Sequence, residues 1–241
     1  MDLIAHRGCA DEYPENTLHA VEHASRRLPA VEMDVRRCRS GELVVFHDET
    51  VDRVTDGTGS VADLDRADLR ELEVLDSGEG VPLLSEALAA VPADVNVQVE
   101  LKETGIGADA VSVVADADVG GNVRFTSFRP EALADVREAD PDASLGYLFG
   151  SDTGVETGLE TALDLDCEYL HPHAELCIET DVADRAYAEG MDVIAWGVDD
   201  AATCEDLREV GVDGATADSW TLGGVEVETE ADVEDGAAAA D

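Results

Sequence analysis

The chain has 241 residues and a formal net charge of −42, from 57 acidic and 15 basic side chains. This length suits one large domain or at most two small ones, and it is enough to bury a hydrophobic core. The charge repels phosphate backbones and anionic lipid surfaces, so we expect no nucleic-acid partner and no stable membrane association. No apolar run is long enough to cross a bilayer and no signal peptide is evident, so we expect a cytoplasmic protein.

The acidic side chains are spread along the whole chain, and Lys102 is the only lysine among the basic residues. Carboxylates hold water and hydrated cations, whereas lysine exposes a long apolar stem. This composition is typical of halophilic proteins adapted to a salt-loaded cytoplasm; an ordinary acidic mesophile protein is the alternative.

Strand patterns alternate with helical patterns along the chain. Strands are predicted at 3–8, 31–38, 96–102, 123–128, 145–149, 169–173, 193–198 and 213–218. Helices are predicted at 17–28, 83–91, 108–117, 130–139, 155–165, 181–189 and 201–210. Eight strands separated by seven helices predict an α/β fold, the (β/α)8 TIM barrel, for which about 250 residues is typical. An open doubly wound sheet is the alternative.

A small insertion is predicted after the second strand of this barrel. A further strand at 42–48 follows a two-residue turn, which is too short for a parallel crossover, so it should run antiparallel to its predecessor. Residues 50–80 are rich in Thr, Asp and Gly and contain one short helix near 65–72. We predict one barrel domain over residues 1–222 and a disordered acidic tail over 223–241.

Polar residues cluster at the predicted carboxyl ends of the early strands, where a TIM barrel carries its catalytic groups. They are His6, Arg7, Glu32, Asp34, His47, Glu100 and Lys102. A spacing of two residues, as between Glu32 and Asp34, places both side chains on one face of a strand. We therefore expect the whole set to meet at one mouth of the barrel.

These residue types suit metal-assisted phosphodiester chemistry. Three carboxylates suit a hard divalent cation, Mg²⁺ or Ca²⁺ with Mn²⁺ as a further candidate, that keeps positions open for substrate oxygens. Arg7 and Lys102 suit an anion, most naturally a phosphate. Two histidines suit a general acid and a general base near neutral pH.

The sequence resembles the glycerophosphodiester phosphodiesterases in five blocks of matching order and spacing. The blocks are His6-Arg7-Gly8, Pro14-Glu15-Asn16-Thr17, Val31-Glu32-Met33-Asp34-Val35, Leu43-Val44-Val45-Phe46-His47-Asp48 and Val99-Glu100-Leu101-Lys102. The resemblance covers roughly residues 2–220 and implies the same barrel. Two departures at the barrel mouth, Asp199 and the Ala217-Asp218-Ser219-Trp220 segment, leave the leaving-group preference open.

The resemblance also implies individual roles. The implied metal ligands are Glu32, Asp34 and Glu100. The implied acid/base pair is His6 and His47. The implied substrate-binding residues are Arg7, Lys102 and Trp196. The residues expected to support these groups are Glu15, Asn16 and Asp48. The alternatives are plain core for Trp196 and helix capping for residues 15 and 16. The roles of Asp199, Asp218, His171 and His173 stay open.

The reaction implied by the resemblance is the hydrolysis of a small glycerophosphodiester to glycerol phosphate and an alcohol. A cyclic phosphate forms first, and water then opens it. Two alternatives are a phospholipase-like lyase that stops at the cyclic phosphate and a non-catalytic phosphate-binding barrel. The leaving alcohol, the stereochemistry of the glycerol phosphate and the oligomeric state stay open.

The acidic composition predicts a salt-dependent fold. In dilute buffer the like charges repel one another and destabilise the compact state, whereas in molar salt the Debye length falls to about 3 Å and screens this repulsion. We expect the melting temperature to be higher in molar KCl than in dilute buffer, as measured by circular dichroism. Equal melting temperatures under the two conditions would contradict the interpretation as salt adaptation.

Overall fold

The computed structural model describes residues 1–117 and 119–224. The strands are β1 (Asp2–Ala5), β2 (Ala30–Arg37), β3 (Leu43–Val45), β4 (Asn96–Leu101), β5 (Val123–Ser127), β6 (Ser144–Phe149), β7 (Tyr169–Pro172), β8 (Asp192–Val198) and β9 (Gly214–Ala217). The α-helices are α1 (Leu18–Ser25), α2 (Arg66–Glu71), α3 (Leu84–Ala90), α4 (Gly107–Asp116), α5 (Pro130–Ala139), α6 (Val155–Asp164), α7 (Ala174–Glu179), α8 (Val182–Ala188) and α9 (Ala201–Val210). Short 3₁₀ helices lie at His6–Gly8, Val61–Asp63 and Trp220–Gly223. The predicted acidic tail lies, from residue 225 onward, outside the described residues.

Eight parallel strands close into a barrel, which confirms the predicted TIM fold. Their order is β1-β9-β8-β7-β6-β5-β4-β2, and pairing between β1 and β2 closes the sheet. The short β3 pairs antiparallel with β2, as its tight connection predicted. In the register of β2 and β4, Asp34 lies directly beside Glu100. The strand pairing alone therefore brings two of the predicted metal ligands together.

Alternate side chains of each barrel strand face the helices and form the main core. In β4, Val97, Val99 and Leu101 are buried in this core. The residues between them, Gln98 and Glu100, line a cavity at the barrel mouth. The two-residue period of the strand therefore separates the residues that stabilise the barrel from those that face its mouth.

The insertion after β2 packs around a small second core. Its buried members are Cys38, Val44, Phe46, Val51, Val54, Val61, Leu69, Val74 and Val81. Helix α2 forms where a short helix was predicted. Because the insertion has apolar packing of its own, it is a packed structural element and not a loose loop. It can therefore hold a side chain in a fixed position beside the mouth.

The first strand is shorter than predicted. It ends at Ala5, because the next residues leave the extended conformation: Arg7, Gly8 and Cys9 all have positive φ, at 52°, 79° and 68°. A Cβ atom at position 8 would lie 2.7 Å from the Cβ of Ala20 in α1. The turn therefore packs directly against α1 through a glycine.

Helix α7 was not predicted from the sequence. It lies between β7 and α8, where no element was predicted, and the ring of His173 accepts a hydrogen bond from the backbone N–H of Glu175 at its start. No helix in the described part of the chain combines the length and the apolar character that a bilayer crossing needs.

Candidate active site

A cavity of about 430 Å³ opens at the carboxyl ends of the barrel strands. The predicted site residues that line it are His6, Arg7, Glu32, His47, Glu100, Lys102 and Trp196. Asp34 is fully buried beside them. The structure therefore brings the predicted catalytic, metal-binding and substrate-binding residues to one place.

Three buried carboxylates form a candidate metal centre in this cavity. One oxygen from each of Glu32, Asp34 and Glu100 lies within 4.8 Å of the other two. Oε1 of Glu32 is buried and has no hydrogen-bond partner among the described residues. Leaving such an oxygen without a partner is costly, and a hard divalent cation with oxygen ligands would satisfy it. The donor set therefore fits Mg²⁺, Ca²⁺ or Mn²⁺.

The electrostatics of the three carboxylates support the same interpretation. Burial, together with the charge of Asp34, raises the pKa of Glu32 and the pKa of Glu100. Burial would also raise the pKa of Asp34, but the charges of Lys102 and Arg7 outweigh it and lower that pKa. The metal-free cluster therefore carries repulsion that a bound cation would relieve.

Two cations lie against this cluster and also face the cavity. Nζ of Lys102 donates to Oε1 of Glu100 at 2.5 Å and lies 3.3 Å from Oδ1 of Asp34. Nε of Arg7 lies 3.2 Å from Oδ2 of Asp34. Both cations can reach an anion that enters the cavity while they contact the carboxylates beside it.

The turn after β1 sets the position of Arg7. In its left-handed conformation, the backbone N–H of Arg7 donates to Oε2 of Glu32 at 2.9 Å. The carbonyl of Arg7 accepts from the backbone N–H of Asn16 at 2.9 Å, and Nδ2 of Asn16 donates to Oδ2 of Asp34 at 2.9 Å. Asn16, one of the residues predicted to support the site, therefore ties the turn to the carboxylate cluster.

Asp218 holds the ring of His6. Nδ1 of His6 lies 2.7 Å from Oδ1 of Asp218, which follows the last strand, β9. Burial lowers the pKa of His6, but the hydrogen bond to Asp218 and the charge of Glu32 outweigh it and raise the pKa to about 9. The sequence left the role of Asp218 open. The signal was available in the barrel itself, because closure places the end of the last strand beside the end of the first.

The ring of His47 has a carboxylate partner of its own. Nδ1 of His47 lies 2.6 Å from Oδ1 of Asp48, the predicted supporting residue. Burial lowers the pKa of His47 more than the charge of Asp34 and the hydrogen bond to Asp48 raise it. The two histidines therefore have the same type of partner but opposite shifts of the pKa.

Aromatic side chains form the far wall of the cavity. Trp196 packs edge-on against Phe128 at 5.1 Å and His173 at 4.6 Å between ring centroids, and its Nε1 donates to the carbonyl of Phe149. This places Trp196 at the mouth and not in the plain core. His171, in contrast, is fully buried inside the barrel.

A buried carboxylate cluster with adjoining cations, at the carboxyl end of a (β/α)8 barrel, is the arrangement expected of a class of enzyme that acts on phosphates with a divalent ion. The chain belongs to the glycerophosphoryl diester phosphodiesterase family, whose model matches residues 6–222. It is 30% identical to a glycerophosphodiester phosphodiesterase of Caldanaerobacter subterraneus subsp. tengcongensis, over 90% of this chain and 93% of that protein.

Solved structures agree with this assignment. An Oleispira antarctica phosphodiesterase, in complex with the product sn-glycerol-3-phosphate, is 27% identical with a TM-score of 0.82, over 90% of this chain and 93% of that one. A glycerophosphodiester phosphodiesterase from Thermotoga maritima is 25% identical with a TM-score of 0.77, over 90% and 94% of the two chains.

The carboxylate repulsion predicts that removing one ligand carboxylate stabilises the metal-free protein but weakens its binding of the ion. In the metal-free protein, Glu32→Gln should raise the melting temperature at about pH 9. Because the pKa of Glu32 is raised, the folded wild type keeps the proton of this carboxyl group at lower pH and has lost it at pH 9. A neutral amide removes the part of the repulsion that involves Glu32 and still accepts the N–H of Arg7. The same variant should lose most of the stabilisation that saturating Mn²⁺ gives the wild type. Thermal denaturation with chelator and with Mn²⁺ measures both effects.

The matched control is Glu138→Gln on the exposed side of α5. It removes the same charge from the protein without touching the cluster, so it should change neither the metal-free melting temperature nor the response to Mn²⁺. If Glu32→Gln kept the full response to Mn²⁺, Glu32 would not be a ligand of the ion.

Proposed function

We propose that the protein hydrolyses glycerophosphodiesters to glycerol phosphate and an alcohol, using a divalent cation and the pair His6 and His47. The observation that carries the proposal is the meeting of three elements in one cavity: the buried carboxylates, the cations Arg7 and Lys102, and the two carboxylate-oriented histidines. Family membership and the product complex of the Oleispira phosphodiesterase support the choice of substrate.

In this proposal, Glu32, Asp34 and Glu100 would hold the cation, which would supply Lewis-acid polarisation of a phosphoryl oxygen. Arg7 and Lys102 bind the other phosphoryl oxygens and offset the negative charge of the site. They let a diester anion enter a protein whose formal charge is −42. Trp196 forms the wall against which the organic part of the substrate packs.

The environments of the two histidines suit opposite roles in the first step. His47, with its lowered pKa, is neutral near pH 7 and accepts the proton of the attacking glycerol hydroxyl. His6, with its raised pKa, is protonated and donates a proton to the oxygen of the departing alcohol. Attack by the glycerol hydroxyl gives a cyclic phosphate, and the two histidines exchange roles when water opens it. Asp48 and Asp218 keep each ring in place through Nδ1.

Three finer points belong to the same proposal. The ion is Mg²⁺, Ca²⁺ or Mn²⁺, because the donor set consists of carboxylate oxygens. The substrate is a small molecule free in a salt-loaded cytoplasm, because the charge of the protein disfavours contact with nucleic acids and anionic membranes. Full hydrolysis is favoured over a lyase that stops at the cyclic product, because the family and the relatives that the chain matches are phosphodiesterases.

A turnover assay with a panel of glycerophosphodiesters in high salt, followed by phosphorus NMR, tests the proposal. We expect linear glycerol phosphate as the end product. His6→Ala and His47→Ala should each lower kcat by about 10²–10⁴-fold, and the double variant should cost far less than the product of the two losses. His19→Ala, on the exposed face of α1, is the matched control. A cyclic end product would favour the lyase, and no turnover would favour a binding barrel.

Lys102 offers a separate test of phosphate binding. Lys102→Met should lower kcat/KM by about 10²–10³-fold, the scale of losing one preorganised donor to the reacting group. Lys102→Arg should recover little of this loss, because the fork is longer and differently shaped than a compact ammonium. Affinity for the divalent ion should hold or rise slightly, because a nearby positive charge is removed. A fully active Lys102→Met enzyme would exclude Lys102 as a phosphate ligand.

A further inference from the structure

We infer that Arg53 of the insertion positions His47 and Arg7 together, through one carboxylate on each side, and so couples the proposed base to the proposed phosphate site. The inference rests on the proposed function for the roles of these two residues. Arg53 is a positioning residue: the cavity lining includes Arg7 and His47 but, within the described chain, none of Arg53, Asp48 and Glu15.

The guanidinium of Arg53 makes two forked contacts at once. Its Nε donates to Oδ2 of Asp48 at 2.6 Å, and its Nη2 donates to Oδ1 of the same carboxylate at 3.2 Å. On the other side, Nη1 and Nη2 donate to the two oxygens of Glu15 at 2.8 and 2.7 Å. One planar cation therefore fixes two carboxylates relative to each other, which a point charge cannot do.

Each of these carboxylates holds one group that faces the cavity. Oδ1 of Asp48 is the oxygen beside Nδ1 of His47, at 2.6 Å. Oε1 of Glu15 accepts from Nη1 of Arg7 at 3.1 Å. Nη2 of Arg53 therefore touches the oxygen on each side that also touches a cavity residue. A shift of Arg53 would be passed to His47 and Arg7 in one step each.

The charge of Arg53 also weakens the electrostatic attraction that Glu15 exerts on Arg7 and that Asp48 exerts on His47. Glu15 is buried, and hydrogen bonds from Arg53 help to overcome the effect of that burial and lower its pKa. Without Arg53, the full charge of Glu15 would fall on Arg7 and hold it away from an incoming phosphate. In the same way, the full charge of Asp48 would fall on His47 and favour its protonated form.

Other charged groups also face His47 and contribute to its pKa, in addition to Asp48. Asp34 favours its protonated form, while Lys102 and Arg7 oppose it. These groups stay in place when Arg53 is replaced, so a change in the titration of His47 would report the link through Asp48.

The experiment compares wild type, Arg53→Gln, Arg53→Lys and the double variant Glu15→Gln/Arg53→Gln, all with saturating Mg²⁺ in high salt. Three quantities are measured: kcat/KM for a glycerophosphodiester, the Kd of glycerol phosphate by calorimetry, and the titration of the His47 ring by NMR. Arg53→Gln should lower kcat/KM by about 10–100-fold, the usual scale for residues that orient catalytic groups. It should also weaken glycerol phosphate binding and move the titration of His47 to higher pH.

The other two variants separate positioning from simple loss of charge. Arg53→Lys should stay closer to Arg53→Gln than to wild type, because an ammonium cannot pair with both carboxylates in the same geometry. Adding Glu15→Gln to Arg53→Gln should restore part of the glycerol phosphate affinity, because the carboxylate that competes for Arg7 is gone. A purely structural role would give no such rescue.

The matched control is Arg39→Gln. Arg39 forms a comparable exposed fork, with Asp65 at 2.8 and 2.5 Å, but has no link to the cavity residues, so its loss should leave all three quantities unchanged. Melting curves check that each variant is folded. The inference is overturned if folded Arg53→Gln keeps both the His47 titration and the glycerol phosphate Kd of the wild type. Those two measurements need no turnover. A wild type without activity would therefore refute the proposed reaction, while the His47 titration and the Kd of glycerol phosphate would still test the positioning role of Arg53.

Discussion

Repulsion among three buried carboxylates is the constraint on which the mouth of this barrel depends. One oxygen of each lies within 4.8 Å of the others, in a place that water does not reach freely. Such an arrangement is tolerable only when positive charge lies close by. Arg7 and Lys102 supply part of it from the protein, and a divalent cation would supply the rest. Asn16, which bonds both the turn at Arg7 and the carboxylate of Asp34, is placed by this need to hold the charges together.

The two histidines show how one motif can serve opposite purposes. Each ring meets a carboxylate through Nδ1, yet the pKa of His6 is raised and the pKa of His47 is lowered. The difference comes from the groups around the pair. The charge of Glu32 favours the protonated form of His6, whereas Lys102 acts against the protonated form of His47; Arg7 opposes the protonated form of both. Arg53, held by an insertion with its own core, also pairs with Asp48 and offsets part of the charge that Asp48 presents to His47. The strand that each histidine follows, β1 for His6 and β3 for His47, decides which neighbours it has.

The sequence predicted the parts of the site that depend on local spacing. A period of two placed Glu32 and Asp34 on one face of β2, and barrel closure placed the strand ends together. It did not predict the left-handed turn after Ala5, because no local sequence pattern distinguishes this turn from a continuation of the strand. It also left Asp218 without a role, because its partner His6 lies 212 residues away in the chain. The missed helix α7 is capped at its start by His173, which is not a common capping residue.

The single lysine has a practical consequence for chemical work on this protein. Its side chain is only 13% exposed and is engaged by Asp34 and Glu100. Burial lowers the pKa of Lys102, but these two carboxylates together with Glu32 outweigh it and raise the pKa. Reagents that acylate amines need an accessible, unprotonated amine, so within the chain they have one internal target and that target is shielded. Attachment to resins, dyes or crosslinkers through lysine would therefore be directed to the amino terminus. The protein could be tethered at that point while the candidate active-site cavity stays chemically untouched.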